Sequence, residues 1–67
     1  MPEVLILPDN RRIKVEPGTP IVKLLESIGI RDPEDAAVVV NNKLIEDTRY
    51  VIRENDRIRI IFQGIGG

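Results

Sequence analysis

The stretch Val15-Glu16-Pro17-Gly18-Thr19-Pro20-Ile21-Val22-Lys23-Leu24-Leu25-Glu26-Ser27-Ile28-Gly29 decides how the rest of the chain has to be read. Thr19 suits an N-cap, and Pro20 suits the first helical position, where its missing N–H would have no intrahelical partner anyway. Ile21, Leu24, Leu25 and Ile28 recur at i, i+3, i+4 and i+7 and so share one helical face, while Lys23, Glu26 and Ser27 fall away from it. Gly29 supplies a left-handed C-cap, and Pro33 prevents a restart nearby. A single amphipathic helix must bury its apolar stripe against a sheet.

The segments on either side supply that sheet. Glu3 to Leu7 carries four consecutive aliphatics and reads as a strand. Pro8, Asp9 and Asn10 are turn formers, and Arg12-Ile13-Lys14-Val15 then alternates polar and apolar, which makes an antiparallel hairpin. Beyond the helix, Arg31 to Asp35 is a polar loop, and Ala37 to Val40 is a third strand closed by Asn41-Asn42, a pair that tolerates left-handed turn geometry. Leu44-Ile45 forms a short fourth strand. Glu46 to Asp56 reads as irregular, with Tyr50, Val51 and Ile52 plugging the open end of the core. Arg57 to Phe62 is the last strand, with Ile58, Ile60 and Phe62 on one face and Arg57, Arg59 and Ile61 on the other. The order is that of an α+β fold of the β-grasp type, a mixed sheet of four or five strands with one helix packed across it. The first and last strands are expected at its centre, running parallel, because they are the most aliphatic. Residues 1–62 make the domain, and residues 63–67 a flexible C-terminal tail.

Composition narrows the functional classes. Sixty-seven residues give one domain, and the absence of Cys and His removes both disulfides and the usual structural zinc site. Ten basic and eleven acidic residues are spread along the chain for a net charge of −1. No basic stripe with interleaved aromatics appears, so no nucleic-acid partner is expected. The longest apolar run, Ala36 to Val40, is too short to span a bilayer, and no signal peptide is recognisable. The expectation is a soluble cytoplasmic protein, monomeric when free, with no membrane partner.

The tail, Gln63-Gly64-Ile65-Gly66-Gly67, follows the last strand directly. Five extended residues reach up to ~17 Å, enough to carry a carboxylate into a partner's active site while the globule stays outside. Gly66 and Gly67 lack a Cβ and can thread a narrow channel. A carboxylate is a poor acyl donor until activated; adenylation by ATP yields a mixed anhydride that a sulfur or nitrogen nucleophile can attack.

Taken together, Val15-Glu16-Pro17-Gly18-Thr19, Leu24-Leu25, Val40-Asn41-Asn42, Asn55-Asp56 and Phe62-Gln63-Gly64-Ile65-Gly66-Gly67 make the chain similar, over its full length, to the ThiS/MoaD-type sulfur carriers of thiamine and molybdopterin synthesis. These are ubiquitin-like proteins with the β-grasp fold. The resemblance implies a carrier and not an enzyme. Gly67, preceded by Gly66, would be adenylated by an E1-like enzyme, converted to a thiocarboxylate, and used to donate sulfur through an acceptor synthase in thiamine, molybdopterin or tRNA thiolation pathways. No cofactor is expected to be bound, since the activating enzyme uses the ATP. The length and the Phe-Gln-x-x-x-Gly-Gly end are nearer the thiamine-type carrier; the Pro-Pro-x-x-Gly-Gly pattern usual in the molybdopterin-type subunit is missing. An archaeal small modifier, joined through Gly67 to target lysines, is equally compatible.

Other groupings point to less. Asp32/Glu34/Asp35 and Glu46/Asp47 would need an apolar pocket to act in catalysis, and they fall in polar loops. Gly64-x-Gly66-Gly67 precedes no helix and so makes no phosphate loop. Strand alternation turns Ile61, Val39 and Leu5 outward on neighbouring strands. Such a patch is the usual mark of a partner surface, here one for docking the activating enzyme.

Overall fold

The computed structural model describes residues 1–63. Strands β1 (Glu3–Leu7) and β2 (Arg11–Lys14) are followed by helix α1 (Ile21–Ser27) and a 3-10 turn at Pro33–Asp35. Strands β3 (Ala36–Val40), β4 (Lys43–Ile45) and β5 (Arg57–Phe62) complete the fold. They form one sheet in the order β2-β1-β5-β3-β4, in which only the β1–β5 pair is parallel. This is the expected β-grasp, with the first and last strands central and five strands in all.

The core lies between α1 and one face of the sheet. Val4 and Ile6 of β1, Val38 and Val40 of β3, and Ile58 and Ile60 of β5 point toward Ile21, Leu24 and Leu25 of the helix. Val4 and Ile60 are completely inaccessible to solvent. Ile28 and Phe62, expected in this core, are half-buried at its margin. Ile30 was not singled out by helical spacing, yet it is buried. The helix ends in a left-handed Gly29 (φ 88°), whose N–H donates to Glu26 O at 3.1 Å while Ile30 N–H donates to Leu25 O at 2.9 Å. This pair of bonds is the Schellman arrangement, which commonly brings the residue after the glycine back against the helix.

The start of the helix differs from the sequence expectation. Pro20, not Thr19, occupies the N-cap position (φ −73°, ψ 150°), and no side chain caps it. Thr19 Oγ1 donates instead to Glu16 O at 2.8 Å, closing the turn through Gly18. The free N–H groups of Ile21 and Val22 are satisfied by the carbonyls of Tyr50 and Thr48, both at 2.9 Å. The segment between β4 and β5 therefore serves as a backbone cap for the helix. Gly18 N–H to Ile52 O (2.8 Å) and Ile52 N–H to Thr19 O (2.9 Å) continue this pairing, with Pro20 bridging Val51 in antiparallel fashion. Because the segment is locally strand-like, its side chains alternate: Ile52 is buried and Tyr50 half-buried. Val51, expected to help plug the core, points outward and is 47% exposed.

A compact polar network holds the β3–β4 turn to the start of β5. Asn41 and Asn42 both take positive φ (53° and 68°), as a two-residue hairpin turn requires. The Asn41 side-chain amide donates to Asp56 Oδ1 at 2.8 Å, and its Oδ1 accepts from Arg57 N–H at 2.9 Å. Asp56, the one buried charged residue among those described, accepts at Oδ2 from the Tyr50 hydroxyl and from Arg53 N–H, each at 2.8 Å. Burial by itself raises the Asp56 pKa. The Arg53 N–H, the Tyr50 hydroxyl, the Asn41 amide and the nearby Arg53 charge outweigh it, and the carboxyl is held below its ordinary value. The same hydrogen bond, with burial, raises the pKa of Tyr50.

Two outcomes follow for folding. Leu25→Ala should cost about 2–5 kcal/mol in denaturant melts; a loss under about 1 kcal/mol would mean that the helix face contributes little. A lowered Asp56 pKa gives stability that is fully present above the unfolded carboxylate value of about 3.9 and is lost as pH falls through the folded value. Asp56→Asn should therefore lower stability at neutral pH by about 1–3 kcal/mol, and its melting temperature should fall less steeply into acid than that of the parent. Parallel acid profiles for the two proteins would contradict the assignment.

Candidate functional site

The helix covers one face of the sheet and leaves the other open. Alternation along the strands and the pairing register determine what that open face presents. Its middle row runs Arg12 on β2, Leu5 on β1, Arg59 on β5, Val39 on β3 and Leu44 on β4. One row toward the C-terminal end of β5 lie Leu7, Ile61 and Ala37, and one row the other way lie Lys14, Glu3 and Arg57. The apolar and charged residues thus separate along the strand direction. The aliphatic end is the end from which the chain leaves β5.

The three residues expected to form a docking patch, Leu5, Val39 and Ile61, do share this face. Leu5 and Val39 flank Arg59 from either side, and Ile61 sits in the next row between Leu7 and Ala37. Their exposure is less uniform than strand alternation implies. Ile61 is 37% exposed, whereas Leu5 and Val39, which flank Arg59 in the middle row, are half-buried. Leu7 and Ala37 join the patch, and Leu44, 60% exposed, extends it to the sheet edge. None of these three was identified from sequence. The signal that could have found them is register, which places them opposite Ile61 and Val39 but cannot be read along a single strand.

Gly66 and Gly67, the expected acyl end, lie outside the described residues. The last described residue, Gln63, donates its N–H to Asp35 O at 2.8 Å, which ties the end of β5 to the 3-10 turn beside Ala36. Gln63 itself thus follows directly on the Leu7–Ile61–Ala37 row.

The carboxylate clusters behave as turn residues. Asp32 Oδ1 accepts from Glu34 N–H at 2.9 Å and starts the 3-10 turn. Asp47 accepts from the backbone N–H of Arg49 at 2.9 Å and from its guanidinium at 3.0 and 3.1 Å. The Arg49 side-chain and backbone bonds keep the Asp47 carboxyl below its ordinary pKa, the opposite of what a general acid needs. Among the described residues no group of three or more potential metal ligands converges, and no helix is long and apolar enough to cross a membrane.

Comparison with known proteins agrees with this geometry. A model of the ThiS family matches residues 4–67, which takes in nearly all of β1, every later element and both terminal glycines. No curated protein matches the sequence. With the β-grasp sheet, the single crossing helix and a family match over almost the whole chain, this protein belongs to the ThiS family, whose members are small sulfur carriers and not enzymes.

Proposed function

We propose that Gly67 is the working end of this carrier and that an E1-like adenylating enzyme activates it with Mg-ATP. A Gly67 carboxylate oxygen attacks the α-phosphorus of ATP, and pyrophosphate leaves. Hydrosulfide then attacks the carbonyl carbon of the acyl adenylate, the C–O bond to the phosphate breaks with AMP leaving, and the resulting thiocarboxylate donates its sulfur to an acceptor synthase. Thiamine, molybdopterin and tRNA thiolation are the pathways that such a donor serves. The family match that runs through Gly66 and Gly67 carries this reading. It is supported by the open face beside the root of the tail, where Ile61, Val39 and Leu5 would seat the activating enzyme. The protein binds no cofactor of its own in this scheme and acts in the cytoplasm as a monomer between partners.

Deleting Gly66 and Gly67 should abolish ATP–pyrophosphate exchange catalysed by the activating enzyme while the thermal melt stays unchanged. Normal exchange with the truncated protein would refute the assignment. Ile61→Asp should weaken binding to the activating enzyme at least tenfold, since a fully covered aliphatic side chain contributes about 1.5–3 kcal/mol, and should leave folding nearly intact. Unchanged affinity together with a large loss of stability would place Ile61 in the core instead.

A further inference from the structure

The charge on this small protein is segregated, although composition hides the fact. The open sheet face carries four cations, Arg12, Lys14, Arg57 and Arg59, and a single anion, Glu3. The other six cations and ten anions lie elsewhere, so a face of about +3 stands on a body of about −4 within a chain of net charge −1. All four cations are exposed. Arg12 lies 3.7 Å from Glu3, but among the described residues no carboxylate lies within salt-bridge distance of Arg57 or Arg59.

Arg59 is also held in place. Its Nη2 donates to Asn42 Oδ1 at 3.0 Å, and Asn42 is fixed by the left-handed geometry of the β3–β4 turn. The backbone of Arg59 stands in the middle row between Leu5 and Val39, and its guanidinium is thereby held beside the β3–β4 turn, with one of its five donors engaged by Asn42. Arg57 stands two residues away on the same face. Leu5, Arg12, Asn42, Arg57 and Arg59 line a shallow depression of about 500 Å³ together with Ile58 and two carboxylates, Glu3 and the buried Asp56, whose oxygens are already taken by Asn41, Tyr50 and Arg53. A planar donor fork oriented in advance beside aliphatic side chains has the chemistry of an interface anchor that takes a carboxylate through two hydrogen bonds.

We infer that the activating enzyme meets this face with an acidic surface, one carboxylate of which is gripped by Arg59, prepositioned by Asn42, and a second by Arg57. The inference rests on the reading of the open face as the docking surface and adds the chemistry of its partner. Charges of opposite sign speed encounter and fix orientation, and they respond steeply to salt. The aliphatic row at Ile61 would then be covered as well, up to Gln63 at the end of β5. The negative remainder of the protein disfavours the opposite orientation, in which its acidic side faces the partner.

The test uses the full-length protein and the activating enzyme of the same organism, with association and dissociation rates followed at low and high salt. Arg59→Glu and Arg57→Glu should each slow association at least fivefold at low salt, and raising the salt should narrow the difference from the parent. Asn42→Gly is the sharper probe. Glycine accepts the same positive φ and keeps the turn, but it removes the oxygen that holds Arg59. It should speed dissociation several-fold while the melt is unchanged or improved. If Ile61→Asp abolishes binding while both arginine reversals and added salt leave it unaltered, the acidic-partner inference fails and the docking face stands. If none of these changes matters, both fail. Binding of an unrelated transfer RNA that is lost on the same arginine reversals, with enzyme binding untouched, would also overturn it, because the face would then serve a nucleic acid.

Discussion

The parallel pairing of β1 with β5 is the constraint on which the rest of the molecule depends. It joins Glu3–Leu7 to Arg57–Phe62, almost the two ends of the chain, and so closes a loop that contains every other element. Closing a long loop costs entropy that local contacts cannot repay. The repayment comes from burying Val4, Ile6, Ile58 and Ile60 together under α1, where each is at most 2% exposed. Because these side chains occupy one face of the central pair, the alternate residues Leu5, Leu7, Arg57, Arg59 and Ile61 are obliged to occupy the other. The core and the open face are two consequences of one register, and a slip of a single residue would exchange them.

That register also sets where the tail begins. β5 is central, so its end is surrounded by β1 and β3, and the Gln63–Asp35 bond fixes the last described residue beside the aliphatic row. A partner that covers this row is automatically close to Gln63. The polar network at the opposite end of β5 has a complementary role. Asp56 ties Tyr50, Arg53 and Asn41 together, Asn41 extends the β3–β5 ladder to Arg57, and Asn42 orients Arg59. The buried carboxylate thus helps to shape both the helix cap, through the 48–52 segment, and the charged half of the open face.

Much of this was legible in the sequence, because the strongest signals are periodic. Helical spacing at Ile21, Leu24, Leu25 and Ile28, alternation in β5, and turn chemistry at Asn41-Asn42 each report local geometry that the tertiary fold has no reason to override. The errors arise where a distant segment supplies what local rules assign to a neighbour. Thr19 is a good N-cap by type, but the carbonyls of Thr48 and Tyr50 already satisfy the helix N–H groups, so Thr19 is free to close the Gly18 turn. Val51 is exposed because pairing with Pro20 makes its segment strand-like. The makeup of the open face was only half visible: alternation gave Leu5, Val39 and Ile61, whereas Leu7, Ala37 and the central place of Arg59 depend on the cross-strand register. Asn55-Asp56 entered the sequence reading only as part of the resemblance and as the end of an irregular segment, since nothing beside Asp56 along the chain reveals the hydroxyl and amide that converge on it.

The account's central claim is that Gly67 carries sulfur, and intact mass spectrometry of the protein isolated from its native host tests it most directly. A species heavier by the difference between one sulfur and one oxygen atom, localised by fragmentation to the C-terminal peptide and lost when the activating enzyme is absent, is the predicted result. A Gly67 carboxylate that never exchanges oxygen for sulfur, seen only free or in an amide bond to lysines of other proteins, would contradict it.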